Sequence, residues 1–416
     1  MKAQDSVKNY PSALREMTNF SVRGIKKICK DVGPRPAGSE QEHEAQKLMA
    51  AELDGACDKV EIEPFDVHPG AFLGWILTDG IMMIAAIVLF FFGMSVISLV
   101  LSALSLIFAI VEFLLYKKML DPFFPKKTSH NVIAVRKPKG EVKRRIFFNG
   151  HPDAAWEWPV NYKLGGVGFE AHAVICGIGA VYYLVLSIML IAKNGLEYVP
   201  FDADETLGLL RLIGLVFVPF LIGLYWMWNE NRIVDGANDN LSGCYMGIAI
   251  LKALKEEGIE FENTEVGVIL TGSEEAGLRG AKAWCAAHKG EFDDVPTFIF
   301  SYDTIHDPKY LMTNYRDLNG TVKADKDVSD LFMEAAKELD ISCKKGWVPP
   351  LGGATDSAAF AQAGFRATGV TGLNHKLEDY YHTRRDTYDN MNEQGLADCF
   401  AISVKALEMF DNGAKQ

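Results

Sequence analysis

The sequence predicts an α/β protein: a mixed, mostly parallel β-sheet flanked by helices, with four apolar helices inserted into it as two transmembrane hairpins. Two patterns carry that reading. From Arg145 to Phe410, short apolar segments of strand length alternate with longer segments bearing an apolar stripe at helical spacing. Such alternation places helices on both faces of a sheet. Against it stand residues 72–116 and two further stretches, about 172–191 and 207–228, which are apolar over lengths that suit a bilayer. Four buried core helices of a soluble protein, set between such short strands, account for them less well.

In chain order, residues 11–30 read as an amphipathic helix. Gly33-Pro-Arg-Pro-Ala-Gly-Ser39 is a rigid turn. Ser39 is placed to cap a helix Glu40–Leu53, whose stripe is Ala45, Leu48, Met49 and Leu53. Lys59–Glu63 alternates as a half-exposed strand. Gly80 to Val111 carries no charge, which is too long for one span and enough for two, with a turn near Gly93-Met-Ser95. Asn131–Val135 and Arg145–Gly150 are strands, and the first pair of spans, lying between Lys59–Glu63 and Asn131–Val135, reads as an insertion into a strand hairpin. Beyond the second pair of spans come helix Gly243–Glu256, strand Val266–Leu270, helix Ala276–Ala287 and strand Thr297–Tyr302. Helices Val328–Leu339 and Asp356–Ala363, strand Arg366–Thr371 and a closing helix Met391–Phe410 complete the chain.

Charge sets the surroundings. A formal net charge of -12 argues against nucleic acid as the main partner. The 7 cysteines contain no Cys-x-x-Cys and read as free thiols of a reducing compartment. Met1 to Tyr10 has no apolar run, so no signal peptide is expected there. Lys117, Lys118, Lys126, Lys127 and Arg136 follow the second span. The connection Asn194–Thr206 carries Glu197, Asp202, Asp204 and Glu205 and no basic residue. The positive-inside rule then puts the polar segments and both termini in the cytoplasm. Trp75, Trp226 and Trp228 are expected at the interface, and Glu112 and Arg211, near span ends, are expected to snorkel to it.

The chemistry-bearing residues form an ordered set: His151-Pro-Asp153, Asp239, Glu274-Glu275, Asp303 and His382. His151, the two glutamates and Asp303 each follow the end of an expected strand, where open α/β sheets place ligands. Taken singly, His151 reads better as a core histidine and Glu274-Glu275 as a solvated helix start. Together, two imidazoles and three carboxylates suit two zinc ions, with one carboxylate bridging. Adjacent acids at a strand end point different ways, so one can hold metal while the other handles a proton. Asp153, two residues from His151, is placed to orient its ring.

These motifs resemble the dinuclear zinc exopeptidases that include bacterial leucyl aminopeptidases and glutamate carboxypeptidase. The resemblance rests on Gly33–Ser39, Gly150-His-Pro-Asp153, Gly236-Ala-Asn-Asp-Asn-Leu-Ser-Gly243, Ser273-Glu-Glu-Ala-Gly-Leu-Arg-Gly280, Tyr302-Asp303, Tyr381-His-Thr383 and Asp386-Thr387. It covers the chain apart from the four spans and implies a zinc aminopeptidase-like sheet. By resemblance, His151 and Asp303 bind one zinc, Glu275 and His382 the other, and Asp239 bridges. Glu274 is then the general base and Tyr381 an oxyanion donor. Asn238 departs from the pattern where an acid is common, and Ser357 where a histidine is.

The parts divide as 1–70, the first segment of the catalytic domain; 71–116, the first hairpin; 117–170, with the first ligand; 171–228, the second hairpin; and 229–416, with the remaining ligands and base. Three functions stay open: an exopeptidase, foremost an aminopeptidase; an amidase or deacylase on N-acyl or lipidated amino-acid substrates; and an inactive membrane scaffold. Glu378, Asp379, Arg316 and Arg384 are candidates for holding a substrate terminus. The tethers to the second hairpin leave from ligand loops, through Trp156 and Trp158. The catalytic mouth is therefore expected to face the lipid bilayer.

Overall fold

The computed structural model describes residues 11–199, 205–374, 376 and 378–415. Met1–Tyr10, Asp202 and Asp204, on which part of the topology reading rests, lie outside the described residues. The chain forms two compact units. One takes in the residues up to 69, 125–157 and those from 230 on; the other takes in 70–124 and 158–229.

The first unit is built on eleven strands: β1 Lys59–Val67, β2 Lys127–Arg136, β3 Arg144–Gly150, β4 Trp156–Glu157, β5 Asn229–Ile233, β6 Thr264–Thr271, β7 Thr297–Ile305, β8 Met312–Asp317, β9 Val322–Lys323, β10 Lys344–Trp347 and β11 Arg366–Gly372. The main sheet runs β1-β2-β6-β3-β7-β11-β8-β10, with β9 beside β8. Its centre, β6-β3-β7-β11, is parallel, while β1, β2 and β8 join antiparallel. Alternation in β3 shows why the sheet is covered on both faces. Phe148 joins the large core with Phe298 and Phe300 under helices Ser242–Glu256 and Glu393–Asp411. Its neighbour Phe147 points the other way, onto Trp284 of helix Arg279–Ala287, with ring centroids 6.2 Å apart. Both side chains are fully buried. Ser39 caps helix Glu40–Asp54 through the N–H of Glu42, as its position predicts.

The sheet departs from the sequence reading in two places. β8, β9 and β10 were not expected, because Met-Thr-Asn-Tyr and Lys-Lys-Gly-Trp carry little apolar alternation. The helix expected from Ala276 begins at Arg279. Ser273, Gly277 and Leu278 have positive φ (53°, 95° and 61°), so the glutamate pair lies on a tight turn and not on a helix.

The second unit is helical and apolar on the outside. Three of its helices, Ser95–Leu114, Pro159–Asn194 and Glu205–Trp226, are long and apolar enough to cross a membrane among the described residues. A fourth apolar helix, Trp75–Phe91, has 17 residues. Polarity is inverted in Ser95–Phe108. Ser95, Ser98, Ser102 and Ser105 are buried, while Val96, Ile97, Val100, Leu104 and Ile107 are exposed. Small polar residues at an interface let helices approach closely, and Ser98 and Ser187 hydrogen-bond at 3.2 Å. The third helix starts earlier than the apolar stretch suggests and kinks at Gly165, whose φ is 69°. Glu112 and Arg211 do not snorkel but turn inward. Glu112 accepts from the Leu120 N–H beyond its helix end. Arg211 lies 5.2 Å from the Phe90 ring centroid. Trp75 is also buried, its indole donating to Phe72 O at 2.7 Å.

Candidate metal centre

The parallel strands deliver the site residues to one edge. His151 follows the end of β3, and Glu274 and Glu275 stand on the turn after β6. Asp303 lies within β7, not beyond its end, paired in register with Thr371. Asp239 comes from the irregular turn Ala237–Leu241, which leads into helix Ser242–Glu256. His382 comes from the loop after β11, in a left-handed conformation at φ 51° that a non-glycine residue rarely takes.

These residues converge. His151, Asp239 and Asp303 place one donor atom each within 4.8 Å of one another, and so do Asp239, Glu275 and His382. Asp239 belongs to both groups and reaches them with different oxygens. Its Oδ1 is 3.4 Å from His151 Nε2 and its Oδ2 is 3.0 Å from His382 Nε2. Glu274 approaches the first group, 3.7 Å from His151 Nε2. Tyr381 stacks on the His382 ring, with centroids 4.1 Å apart, and lines a cleft with Asp303.

Around them lies a layer of fixed hydrogen bonds. Asp153 is fully buried and sits 3.2 Å from His151 Nδ1. Its two oxygens also accept from the N–H groups of Glu274 (3.1 Å) and Glu275 (2.9 Å), so one carboxylate orients three site residues. Asp386 accepts from the N–H groups of Asn238 and Asp239 and from the Asn238 side chain. Asn238 therefore ties the Asp239 loop to the His382 loop, which accounts for an amide where an acid is common. Thr304 donates to Asp303 Oδ1 at 2.8 Å. Ser357 holds no site residue and donates to Asp317 at 2.7 Å.

Sequence reading missed several residues of this layer. Arg35, inside what reads as a rigid turn, is fully buried. Its guanidinium donates to Pro152 O, next to His151, at 2.6 Å and to Gly236 O, in the Asp239 loop, at 3.1 Å. Gly236 has φ 60°, and a Cβ there would lie 2.8 Å from Arg35. Only glycine admits that clamp. Glu42 accepts from the N–H groups of Gly38 and Ser273 and from the Ser129 hydroxyl, fixing the turn ahead of Glu274. Glu157 is buried and binds Arg384 through two hydrogen bonds of 2.6 and 2.8 Å, anchoring the loop of His382. Arg384 is thus committed to Glu157, Arg316 donates to Gly320 O, and Asp379 pairs with Arg385.

The electrostatics ask for cations. Burial, with the charges of Asp356, Asp303 and Asp153, pushes the Glu274 carboxyl well above its ordinary range against the pull of His151. Burial, Asp239 and Glu274 do the same to Glu275. Asp303 is pushed up to about 8 by burial and by Asp239. Asp239 goes the other way, because hydrogen bonds to His151 and His382 outweigh its burial. So many buried carboxylates are stable together as anions only around positive charge. Two sets of one imidazole and two carboxylates, sharing one carboxylate, fit zinc.

Fold and donor set together define a zinc metallopeptidase-type centre on a mixed α/β sheet. Residues 225–407 match Peptidase family M28. No curated protein matches the sequence. The fold is similar to that of a zinc aminopeptidase from Bacillus subtilis, with 13% identity, a TM-score of 0.55 and 94% of each chain covered. An aminopeptidase from Aneurinibacillus sp. strain AM-1 is similar at 15% identity and a TM-score of 0.56, covering 94% of this chain and 93% of that one. A Bacteroides thetaiotaomicron glutaminyl cyclase is similar at 13% identity and a TM-score of 0.54, covering 94% and 97%.

Proposed function

We propose that this chain is a membrane-anchored aminopeptidase that uses two zinc ions and Glu274 to hydrolyse the amide bond after an N-terminal residue. The observation that carries it is the sharing of Asp239 between two donor groups, with Glu274 beside them, near His151 and Glu275 but in neither group that contains Asp239. His151 and Asp303 would hold one ion, Glu275 and His382 the other, and Asp239 both. Zinc bound there supplies Lewis acidity toward the scissile carbonyl and acidifies water. Glu274 takes the proton from the attacking water and returns it to the leaving amine. Tyr381, at the cleft mouth, donates to the carbonyl oxygen as it gains charge. Asp153 holds the His151 ring and the Glu274 backbone, so ligand and base keep one geometry.

The helical unit is the anchor. Its four apolar segments cross the bilayer as two hairpins, Trp75–Phe91 being at the short end of the roughly 17–25 residues a span needs. The catalytic segments then lie on the cytoplasmic side. The test is metal content together with turnover of a panel of aminoacyl amides and N-acyl amino acids by purified full-length protein. Two zinc ions per chain with cleavage of aminoacyl amides is the expected result. Cleavage of acyl substrates alone would make the protein a deacylase, and no turnover of any would make it a scaffold.

A further inference from the structure

Beside Asp303 and Tyr381 the cleft continues into a partly open recess. Asn314 from β8 and Thr371 from β11 line it. Asn314 is fully buried and Thr371 is 4% exposed. Among the described residues, neither Nδ2 nor Oδ1 of Asn314 has a hydrogen-bond partner, and nor has the Thr371 hydroxyl. Buried polar atoms are rarely left so, because each loses its water without replacement. The backbone keeps room for the amide: Gly369 lies opposite Asn314 in register, and a Cβ there would come within 2.8 Å of Asn314 Nδ2. Met312, Val348, Pro349 and Leu373 make the other walls apolar. Asp317, near the Asn314 amide, is already occupied by the N–H groups of Leu318 and Thr355 and by the hydroxyls of Thr355 and Ser357. Apart from Asp303 at the metal centre, the recess therefore offers no charge to a ligand.

We propose that this recess holds the side chain of the substrate's N-terminal residue and is built for a carboxamide, that of glutamine or asparagine. The inference rests on the aminopeptidase reading. A carboxamide matches Asn314 reciprocally: its carbonyl accepts from Nδ2, and its amino group donates to Oδ1 with one hydrogen and reaches Thr371 with the other. Leucine or methionine fills similar space and leaves all three atoms unmet. A site built to hydrogen-bond its substrate discriminates strongly against the analogue lacking the group. Lysine or glutamate finds no counter-charge there.

The test compares kcat/KM for glutaminyl and leucyl amides with the zinc-loaded full chain in detergent. Glutaminyl amide is expected to be favoured by about 10- to 100-fold, and Asn314→Leu and the isosteric Thr371→Val each to lower that ratio by about tenfold. Equal or better turnover of the leucyl amide would overturn the assignment. So would an unchanged ratio in either folded variant, which would mean that water satisfies these atoms. If no aminoacyl amide is cleaved, the peptidase reading fails, and the recess is judged by binding alone. Glutamine hydroxamate should then raise Tm more than leucine hydroxamate, by a margin that Thr371→Val removes, and equal shifts would overturn the pocket as well.

Discussion

At the scale of single residues, the proposed roles of Asp239 and Glu274 separate metal binding from proton transfer. Asp239 faces both imidazoles with separate oxygens, so removing it opens both donor groups at once. Asp239→Ala is expected to lose both zinc ions or nearly so; full metal retention would reject the shared-ligand assignment. Glu274 lies in neither of the two groups that share Asp239. Glu274→Gln should keep close to normal zinc while kcat falls by about 10²–10⁴-fold, since an amide cannot take a proton. Normal turnover in that variant would remove it from the mechanism. Asp239 and Glu274 were picked out in the sequence because each sits in a short glycine-flanked motif. Arg35, Glu42 and Glu157 were not. Each works through a partner more than a hundred residues away in the chain, and no local pattern marks such a bond.

At the scale of elements, the expected strands and helices that carry an apolar period are present, and the misses have a common cause. β8 and β10 are short and polar in sequence, and tertiary pairing, not their own alternation, makes them strands. Ala276–Leu278 was read as the start of a helix, but it belongs to the turn that holds Glu274 and Glu275, and the helix begins at Arg279. Asp153 and Glu42 hold the turn's N–H groups in another shape. The loop of His382 depends similarly on Glu157. Burial works against ionisation of Glu157, but Arg384 outweighs it and holds the carboxyl below its usual range. A depressed folded pKa contributes stability above the unfolded value, about 4.3, which is lost as pH falls through the folded one. Glu157→Gln should therefore lower stability at pH 7 by about 1–2 kcal/mol, a modest figure because Arg384 is partly in water. The gap to the native chain should close in acid. A thermal scan of both proteins at pH 7 and below pH 4 checks this, and a gap that persists in acid would contradict it.

At the scale of the whole chain, the core of the first unit is drawn entirely from its own three segments. The strands flanking each insertion also meet. Val67 at the end of β1 pairs with Lys127 at the start of β2. β4 pairs with β5, and Val234 N–H donates to Ala155 O at 3.0 Å just beyond that pair. Replacing 70–124 and 159–228 with short turns is therefore expected to leave a water-soluble protein that folds and retains zinc. Circular dichroism and metal analysis of that protein decide it, and an unfolded or metal-free product would show that the sheet needs the spans. The closed ends also bear on descent. A segment whose two ends lie one strand apart can be gained or lost by a single insertion in the gene, with no other part of the protein rebuilt. Forms of one hydrolase with and without the apolar helices can thus stand one or two genetic events apart.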